Sequence, residues 1–580
     1  MSPEAYQGAA AAAILYLAYG CLIVVVFRNA ISLIQLILAS FVFATRVKPS
    51  EFSLDLWHRY GDLAPPVSVV APAFNEELSI VESVRALLAL EYPEHEVIVV
   101  NDGSDDATLA TLIAAFDCVP SAREQIAVLQ KTAIRGTYRS LSHPNLILID
   151  KDNGRKADAV NAGIGFARTP LVCIIDADSI IETDGLLRAA ELFMYDNGKM
   201  VAVGGAIRIV NGCEVKGGSL RKVGVAKAWL PRFQLVEYLR AFLTARVANA
   251  ENNTLLLISG AFGIFRRSVL LEIGGYRHDT VGEDLELIVR IHRHMREQKR
   301  PYAIGFVPEV VCWTEAPTTL AGLRGQRARW QQGALETLAR HWRMVLNPRY
   351  GRIGMFSMLQ LVIEDVVGPP AELIGYLVIP AALFLGVMAP AVAAVFLRVT
   401  VLFGSGLSIG TLALEELQLR RTPSAHDLLR VGIAAVAENF GYRQINLIYR
   451  FAGIARHLRK DSSWAAVPRT GFNSGCIPYA KQMPNRMGGS RIQTGPRPMC
   501  RCDHANCPIS QTLCARWKEY PCRTYSGSAP LSGWWLRRWL MPASATTRER
   551  GMTIDLWLAA ITALGLLIYL VVALLRPERF

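Results

Sequence analysis

Leu171-Val172-Cys173-Ile174-Ile175-Asp176-Ala177-Asp178 is the stretch on which the reading of the fold turns. Five apolar residues that end at a carboxylate read as a strand buried on both faces, with a polar function at its carboxyl end. The same pattern lies upstream. Glu96–Val100 (E-V-I-V-V) runs into Asn101-Asp102-Gly103-Ser104, and Asn145–Ile149 (N-L-I-L-I) runs into Asp150. Further short apolar runs at Val67–Ala71, Met200–Val203 and Ile258–Phe265 alternate with helical spacing at Glu77–Leu90 and Ala157–Ala167. From about Pro65 to Arg343 the chain therefore reads as an α/β domain whose strands are covered by helices on both faces.

In open α/β sheets ligands bind beyond the carboxyl ends of the strands. One strand-ending Asp is ordinarily a helix cap or a turn former. Three on one rim suggest a site. Asp176 and Asp178, two apart, would share a face of a continuing strand. Such a pair of oxygen ligands suits Mg²⁺ or Mn²⁺ held together with substrate phosphates. D-x-D alone is a common motif, and its place after an apolar run is what gives it weight. A fourth acidic station, Gly282-Glu283-Asp284, opens an amphipathic segment, where acids also serve the helix dipole. Gln326, Arg329 and Trp330 stand at i, i+3 and i+4 and would share a helix face. They offer an amide, a guanidinium suited to phosphate oxygens and an aromatic platform for a sugar ring.

The remainder of the chain has a different texture. Of its 580 residues 52% are hydrophobic and only 19% charged, a balance expected of a protein partly solvated by lipid. Ala9–Phe27 and Ala30–Ala44 are apolar around Arg28-Asn29, giving one long helix or two closely spaced spans within residues 1–50. Residues 350–472 continue with an interfacial helix at Ile353–Val367 and spans at Leu373–Val387 and Ala391–Leu414. Leu428–Phe451, punctuated by Arg430, Glu438, Arg443 and Arg450, reads as a span facing protein or as a re-entrant segment. The formal charge of +13 fits Lys and Arg gathered in cytoplasmic loops. No basic run interleaved with aromatics points to nucleic acid. Cys21, Cys118, Cys173, Cys213 and Cys312 are scattered in apolar or strand-like contexts, as in a reducing compartment.

P-A-F-N-E-E (72–77), V-N-D-G-S-D-D (100–106), N-G-R-K-A-D-A-V-N-A-G (153–163), D-A-D (176–178), G-E-D (282–284) and Q-R-A-R-W (326–330) occur in this order. Together with I-S-G-A-F-G-I-F-R-R (258–267) and E-N-F-G-Y-R-Q (438–444) they closely resemble the family 2 processive glycosyltransferases: cellulose, poly-N-acetylglucosamine, hyaluronan and chitin synthases. The resemblance implies a GT-A domain at residues 60–345, with a mostly parallel mixed sheet flanked by transmembrane helices. It implies a UDP-sugar donor, with Asp102 and the neighbouring main chain from Ala73 to Glu76, Asn75 included, on the uridine, and Lys156 and Asp176 on the diphosphate. Asp178 would take the metal, Mg²⁺ or Mn²⁺, with Asp176 beside it. The catalytic pair would be Glu283 and Asp284, with Asp284 the base, and Gln326, Arg329 and Trp330 would hold the diphosphate and the acceptor sugar. The expected enzyme is an inverting, metal-dependent hexosyltransferase of the inner membrane. Its catalytic domain faces the cytoplasm and its acceptor is a growing β-linked polysaccharide. Accessory export proteins are compatible with this reading, since the spans are few beside those of cellulose synthases. Gly282 stands where many relatives carry Thr.

Residues 473–551 lose periodicity and gain Pro, Arg, Gly, Ser and Cys. The spacing around Cys500, Cys502, His504 and Cys507 matches no standard zinc pattern, and the stretch reads as an irregular linker or a shifted reading frame. Residues 552–580 form one clean transmembrane segment that resembles the small F subunit of the Kdp potassium-transporting ATPase, as though two neighbouring genes were joined. Two further readings remain: a transferase that adds one sugar to a lipid carrier, and an ion-pump accessory protein acting through the final segment.

Overall fold

The computed structural model describes residues 3–45, 57, 60–177, 179–216, 218–419 and 424–461. The chain divides into two units, Met1–Gly475 and Cys476–Phe580. The sheet and its helices belong to the first. The linker and the final transmembrane segment lie outside the described residues, as does Asp178.

Among the described residues twelve strands occur in chain order: β1 (Val67–Ala73), β2 (His95–Asp102), β3 (Cys118–Pro120), β4 (Ile134–Ser140), β5 (Leu146–Lys151), β6 (Leu171–Ile174), β7 (Ile180–Ile181), β8 (Met200–Ile209), β9 (Glu214–Lys216), β10 (Ser219–Lys222), β11 (Gly263–Arg266) and β12 (Ala303–Thr314). Ten of them form one sheet in the order β3-β4-β5-β2-β1-β6-β11-β8-β12-β7, and β9 and β10 pair by themselves. Only β4, β7 and β11 run against the other seven. The expected mixed α/β sheet with one dominant direction is therefore present. Alternation along β1 shows why it is buried twice over: Val67, Val69 and Ala71 enter one apolar cluster and Val70 the other. β6 ends one residue short of the expected Ile175, and the run to Asp176 continues as loop.

Eight helices frame the site or pack on those that do. They are α1 (Pro3–Thr45), α2 (Arg155–Phe166), α3 (Glu283–Glu297), α4 (Leu320–His341), α5 (Gly368–Phe384), α6 (Pro390–Gln418), α7 (Ala425–Ala437) and α8 (Tyr442–Leu458). Of the two expectations for the N-terminus, one long helix is found. It packs on α5 and α6. Ala11–Thr45 and Ile353–Phe384 are long and apolar enough to cross a membrane and are candidate spans.

Two expectations need correction. Ile258–Phe265 is a strand only from Gly263; the turn before it, with Phe262 N donating to Ser259 O at 3.1 Å, carries Gly260 toward the site. Leu428–Phe451 is not one segment but α7 and α8. They are separated at Gly441, whose φ of 101° is left-handed and open to glycine at little cost. The charges that punctuate it are held by protein. Glu438 accepts from Arg240 and Ser408, and Arg450 donates to Gln331 Oε1 at 2.6 Å and to Asp365 Oδ1 at 2.6 Å.

α2 crosses β1 closely, since a Cβ on Gly163 would lie 2.3 Å from Val70 Cγ1. Alanine would gain up to about 1 kcal/mol of helix propensity, whereas overpacking a filled core costs about 1–3 kcal/mol. Gly163→Ala should therefore lower the midpoint of thermal unfolding; a raised midpoint would show that the contact is loose.

Candidate active site

The sheet brings Asp102, Asp176, Glu283 and Asp284 to one cavity of about 1510 Å³, whereas Asp150 is not among the lining residues and instead accepts from Asn101 Nδ2 at 2.7 Å and from Arg135 at 2.9 Å. Asp102, at the end of β2, is 4% exposed. Its Oδ1 accepts from Lys151 Nζ at 2.6 Å and from Gly154 N at 3.0 Å. Burial raises its pKa, with the two donors pulling the other way. Gly103, at φ 66°, is obligatory here, because a Cβ would lie 2.6 Å from Asn153 N. Beside it the loop after β1 is stitched to the loop after β2. Asp105 N donates to Asn75 Oδ1 at 2.9 Å, and Glu76 N to Thr108 Oγ1 at 2.9 Å. Ala73 and Glu76 line the cavity. The Asn75 side chain is spent on that stitching and is not among the lining residues, so a role for Asn75 at the donor would fall to its main chain, as expected of this stretch.

Lys156, on the first turn of α2, forms an ion pair with Asp176 and lies 3.9 Å from Glu283 Oε1. Burial works against its charged form, but the charges of Asp176, Glu283 and Asp284 outweigh it and hold the ammonium above its ordinary pKa. Gly260 leaves room for this side chain, since a Cβ there would meet Nζ at 2.6 Å. Glu283 and Asp284 open α3. Burial pushes Glu283 well above the carboxylate range; Lys156 opposes the shift and Asp284 adds to it. Asp284 Oδ1 accepts from Leu285 N at 2.8 Å.

The other wall is α4. Gln326, Arg329 and Trp330 all line the cavity, as their spacing implied. Burial lowers the pKa of Arg329, while Glu283, Asp284 and Asp176 raise it, which places the guanidinium within their field. Trp330 is 45% exposed, and the Arg327 guanidinium lies 4.3 Å from its ring centroid. The approach of α4 to α3 rests on paired glycines: a Cβ on Gly282 would lie 2.7 Å from Gly333 Cα, and one on Gly333 2.6 Å from Gly282 Cα. The absent threonine at 282 thus has a local reason. In this chain two backbones meet where its side chain would be.

Residues 65–333 match the family described as glycosyltransferase like family 2. Over those residues the chain is similar to family 2 glycosyltransferase domains. Two similar relatives are poly-beta-1,6-N-acetyl-D-glucosamine synthases. That of Staphylococcus aureus (strain COL) is 28% identical over 302 residues, covering 52% of this chain and 61% of its own. That of Staphylococcus epidermidis is 28% identical over 275 residues, covering 47% and 56%. The chain thus spans about three fifths of the curated relatives it matches. A mannosyltransferase from Pyrobaculum calidifontis, solved with GDP-Man and Mn²⁺, aligns over 78% of this chain and 99% of its own, with a TM-score of 0.47 and 19% identity. Residues 557–580 match the F subunit of the K⁺-transporting ATPase, as the final segment's sequence suggested.

Two cations at this site escaped the sequence reading. Lys151, at the end of β5, is fully buried between Asp102 and Asp158. Arg246, whose guanidinium sits 3.7 Å over the Phe242 ring, lines the cavity within the field of Asp284, and burial lowers its pKa to about 10. Neither lies in a motif that carries the family resemblance. Lys151 follows Asp150 directly, which was the one local signal; nothing near Arg246 in the sequence marks it.

Glu283 holds its proton to higher pH in the folded chain than in the unfolded one. Above the ordinary carboxylate range the unfolded state therefore carries fewer protons at this position, and stability falls as pH rises toward neutrality. Glu283→Gln should remove that slope, raising the unfolding midpoint relative to the parent at pH 8 and changing it little at pH 4.5. A parallel pair of melting-versus-pH curves would refute the assignment.

Proposed function

We propose that this chain is a membrane-embedded inverting glycosyltransferase that moves a sugar from a UDP-sugar onto a growing β-linked polysaccharide. The observation that supports it most is the single cavity lined by Asp102, Lys156, Asp176, Asp284, Arg329 and Trp330. Its volume exceeds the roughly 300–1,000 Å³ of a typical small-ligand site. Beyond the sugar-nucleotide end the lining continues with Arg28 of α1, Glu372 and Tyr376 of α5, Leu397 of α6 and Asn446 of α8, leaving space for an acceptor chain.

In this reading Asp102 and the main chain from Ala73 to Glu76 hold the uracil, and Lys156 and Arg329 receive the diphosphate. Asp284 takes the proton of the acceptor hydroxyl. The acceptor oxygen then bonds to the anomeric carbon as the bond from that carbon to the diphosphate breaks, its electron pair leaving with UDP. Attack from the opposite face turns an α-linked donor into a β-linkage. Lys156, Arg329 and Arg246 supply fixed positive charge around the leaving group and the base. Trp330 offers its half-exposed ring to the acceptor sugar, and Gln326 its amide.

Asp176 presents hard oxygen donors at the cavity, the chemistry a Mg²⁺ or Mn²⁺ ion requires, and its Lys156 partner is of a kind that phosphates can draw away. Asp176 and Asp178 would hold the ion, which when bound neutralises charge on the departing diphosphate. Membrane placement is supported by the two candidate spans, and a cytoplasmic catalytic domain by the basic loops. The relatives' names favour UDP-N-acetylglucosamine over UDP-glucose.

Membranes containing the protein, offered radiolabelled UDP-sugars with product sizing, should yield a polymer ladder from one donor. A single-sugar lipid would favour the lipid-carrier reading instead. Asp284→Asn should cut transfer by about 10²–10⁴-fold while UDP binding stays near the parent value, and near-normal turnover would remove Asp284 from the base role. EDTA and Asp178→Ala should each weaken donor binding. Full activity in chelator would dismiss the metal.

A further inference from the structure

Lys151 is a fully buried lysine that no part of the proposed chemistry uses. Its Nζ lies 2.6 Å from Asp102 Oδ1, 2.8 Å from Asp158 Oδ2 and 2.7 Å from Asp152 O. Asp158 is itself immobilised. Its Oδ1 accepts from Lys131 N at 2.6 Å and its Oδ2 from Thr132 Oγ1 at 2.6 Å, and His278 Nδ1 stands 3.4 Å from Oδ1. Gly154 makes this packing possible, since a Cβ there would fall 2.3 Å from Asp158 Oδ2.

The consequence falls on Asp102. Its Oδ1 takes hydrogen bonds from Lys151 Nζ and Gly154 N, which use both lone pairs of that oxygen. Oδ2 accepts none from the described residues, and Asp102 lines the cavity. The carboxylate therefore offers a ligand one oxygen, not two.

We propose that Lys151 is a positioning residue that makes Asp102 a one-oxygen reader of the nucleobase and so selects uracil over guanine; this rests on the assignment of Asp102 to the base. Uracil carries one imide donor, N3–H, between two carbonyls, and a single acceptor satisfies it. Guanine presents N1–H and its exocyclic amino group side by side, a pair matched by both oxygens of a carboxylate. With Oδ1 already filled, guanine would leave one donor buried and unpaired, which disfavours it. An unlocked Asp102 could turn both oxygens to the base.

Equilibrium binding to the detergent-solubilised full chain with Mg²⁺ tests this. On the native protein, IDP, whose base lacks the amino group, should bind roughly tenfold more tightly than GDP. GDP binding as tightly as IDP overturns the proposal without any variant. The charge-balanced double variant Lys151→Met/Asp158→Asn should lower the UDP-over-GDP preference by roughly tenfold, while Asp158→Asn alone, which leaves the Lys151–Asp102 bond, should keep it. An unchanged preference in a double variant that still melts cooperatively overturns the proposal, as does an equal loss in Asp158→Asn. N3-methyl-UDP separates this from the reading beneath it. If it binds native protein as well as UDP does, Asp102 does not read the base at all. If it binds poorly while the preference survives the double variant, only the role of Lys151 fails.

Discussion

Carboxylates cannot crowd one poorly solvated rim unless cations stand among them, and this constraint governs the molecule's architecture. Unpaired, such groups would take up protons instead of remaining charged. Asp102 is balanced by Lys151, Asp176 by Lys156, and the pair Glu283-Asp284 by Lys156, Arg329 and Arg246. Each cation comes from a different element: β5, α2, α4 and the helical turn Arg240–Arg246. The site therefore exists only when these elements are docked. Its charge balance is also incomplete in a useful way, since Glu283 stays shifted upward despite Lys156. Under the proposed function, a diphosphate at this rim would compete with Asp176 for Lys156.

Glycines set how closely those elements approach. Gly260 gives Lys156 its space, Gly154 admits Asp158, and Gly282 with Gly333 lets the start of α3 touch α4. In each case the nearest atom belongs to a charged side chain or to backbone, so the glycine is fixed by proximity and not by an unusual φ. A side chain at 282 would push Glu283 and Asp284 away from Arg329. That separation would weaken the electrostatic coupling between these carboxylates and the guanidinium on the facing wall.

Much of this was legible in the sequence because strands buried on both faces announce themselves as apolar runs. β1, β2, β5 and β6 were found that way, and the carboxylates at the ends of the last three followed. β4 (I-R-G-T-Y-R-S) was not legible, being half-exposed with arginines on its open face. Nor was β12, whose run is broken by Pro308-Glu309 where its register against β8 shifts between Val307 and Val310. Helical spacing placed Gln326, Arg329 and Trp330 together because i, i+3 and i+4 is a local rule. Lys151 and Arg246 were missed for the opposite reason. Their partners lie far off in sequence, Lys151 being 49 residues from Asp102, and only tertiary packing brings them together.

Charges that made the C-terminal helices hard to read, Glu438 and Arg450 among them, hold those helices to the α/β domain. Arg208, at the far end of β8, pairs with Glu415 of α6 at 2.7 Å, with side chains 4% and 1% exposed. Glu438 takes Arg240 and Arg443, Tyr442 of α8 donates to Glu237 Oε2 at 2.8 Å, and Asp365 takes Arg450 while its carbonyl receives Gln331. Buried ion pairs add little net stability over apolar replacements, because desolvation cancels most of the attraction, but losing one partner is costly. They fix which surfaces meet more than how strongly. A domain that must keep its cavity continuous with the space between α1, α5 and α8 needs that kind of register, since an apolar interface would tolerate sliding. The same charges that argue against simple lipid-facing spans therefore argue for helices whose inward faces belong to the site.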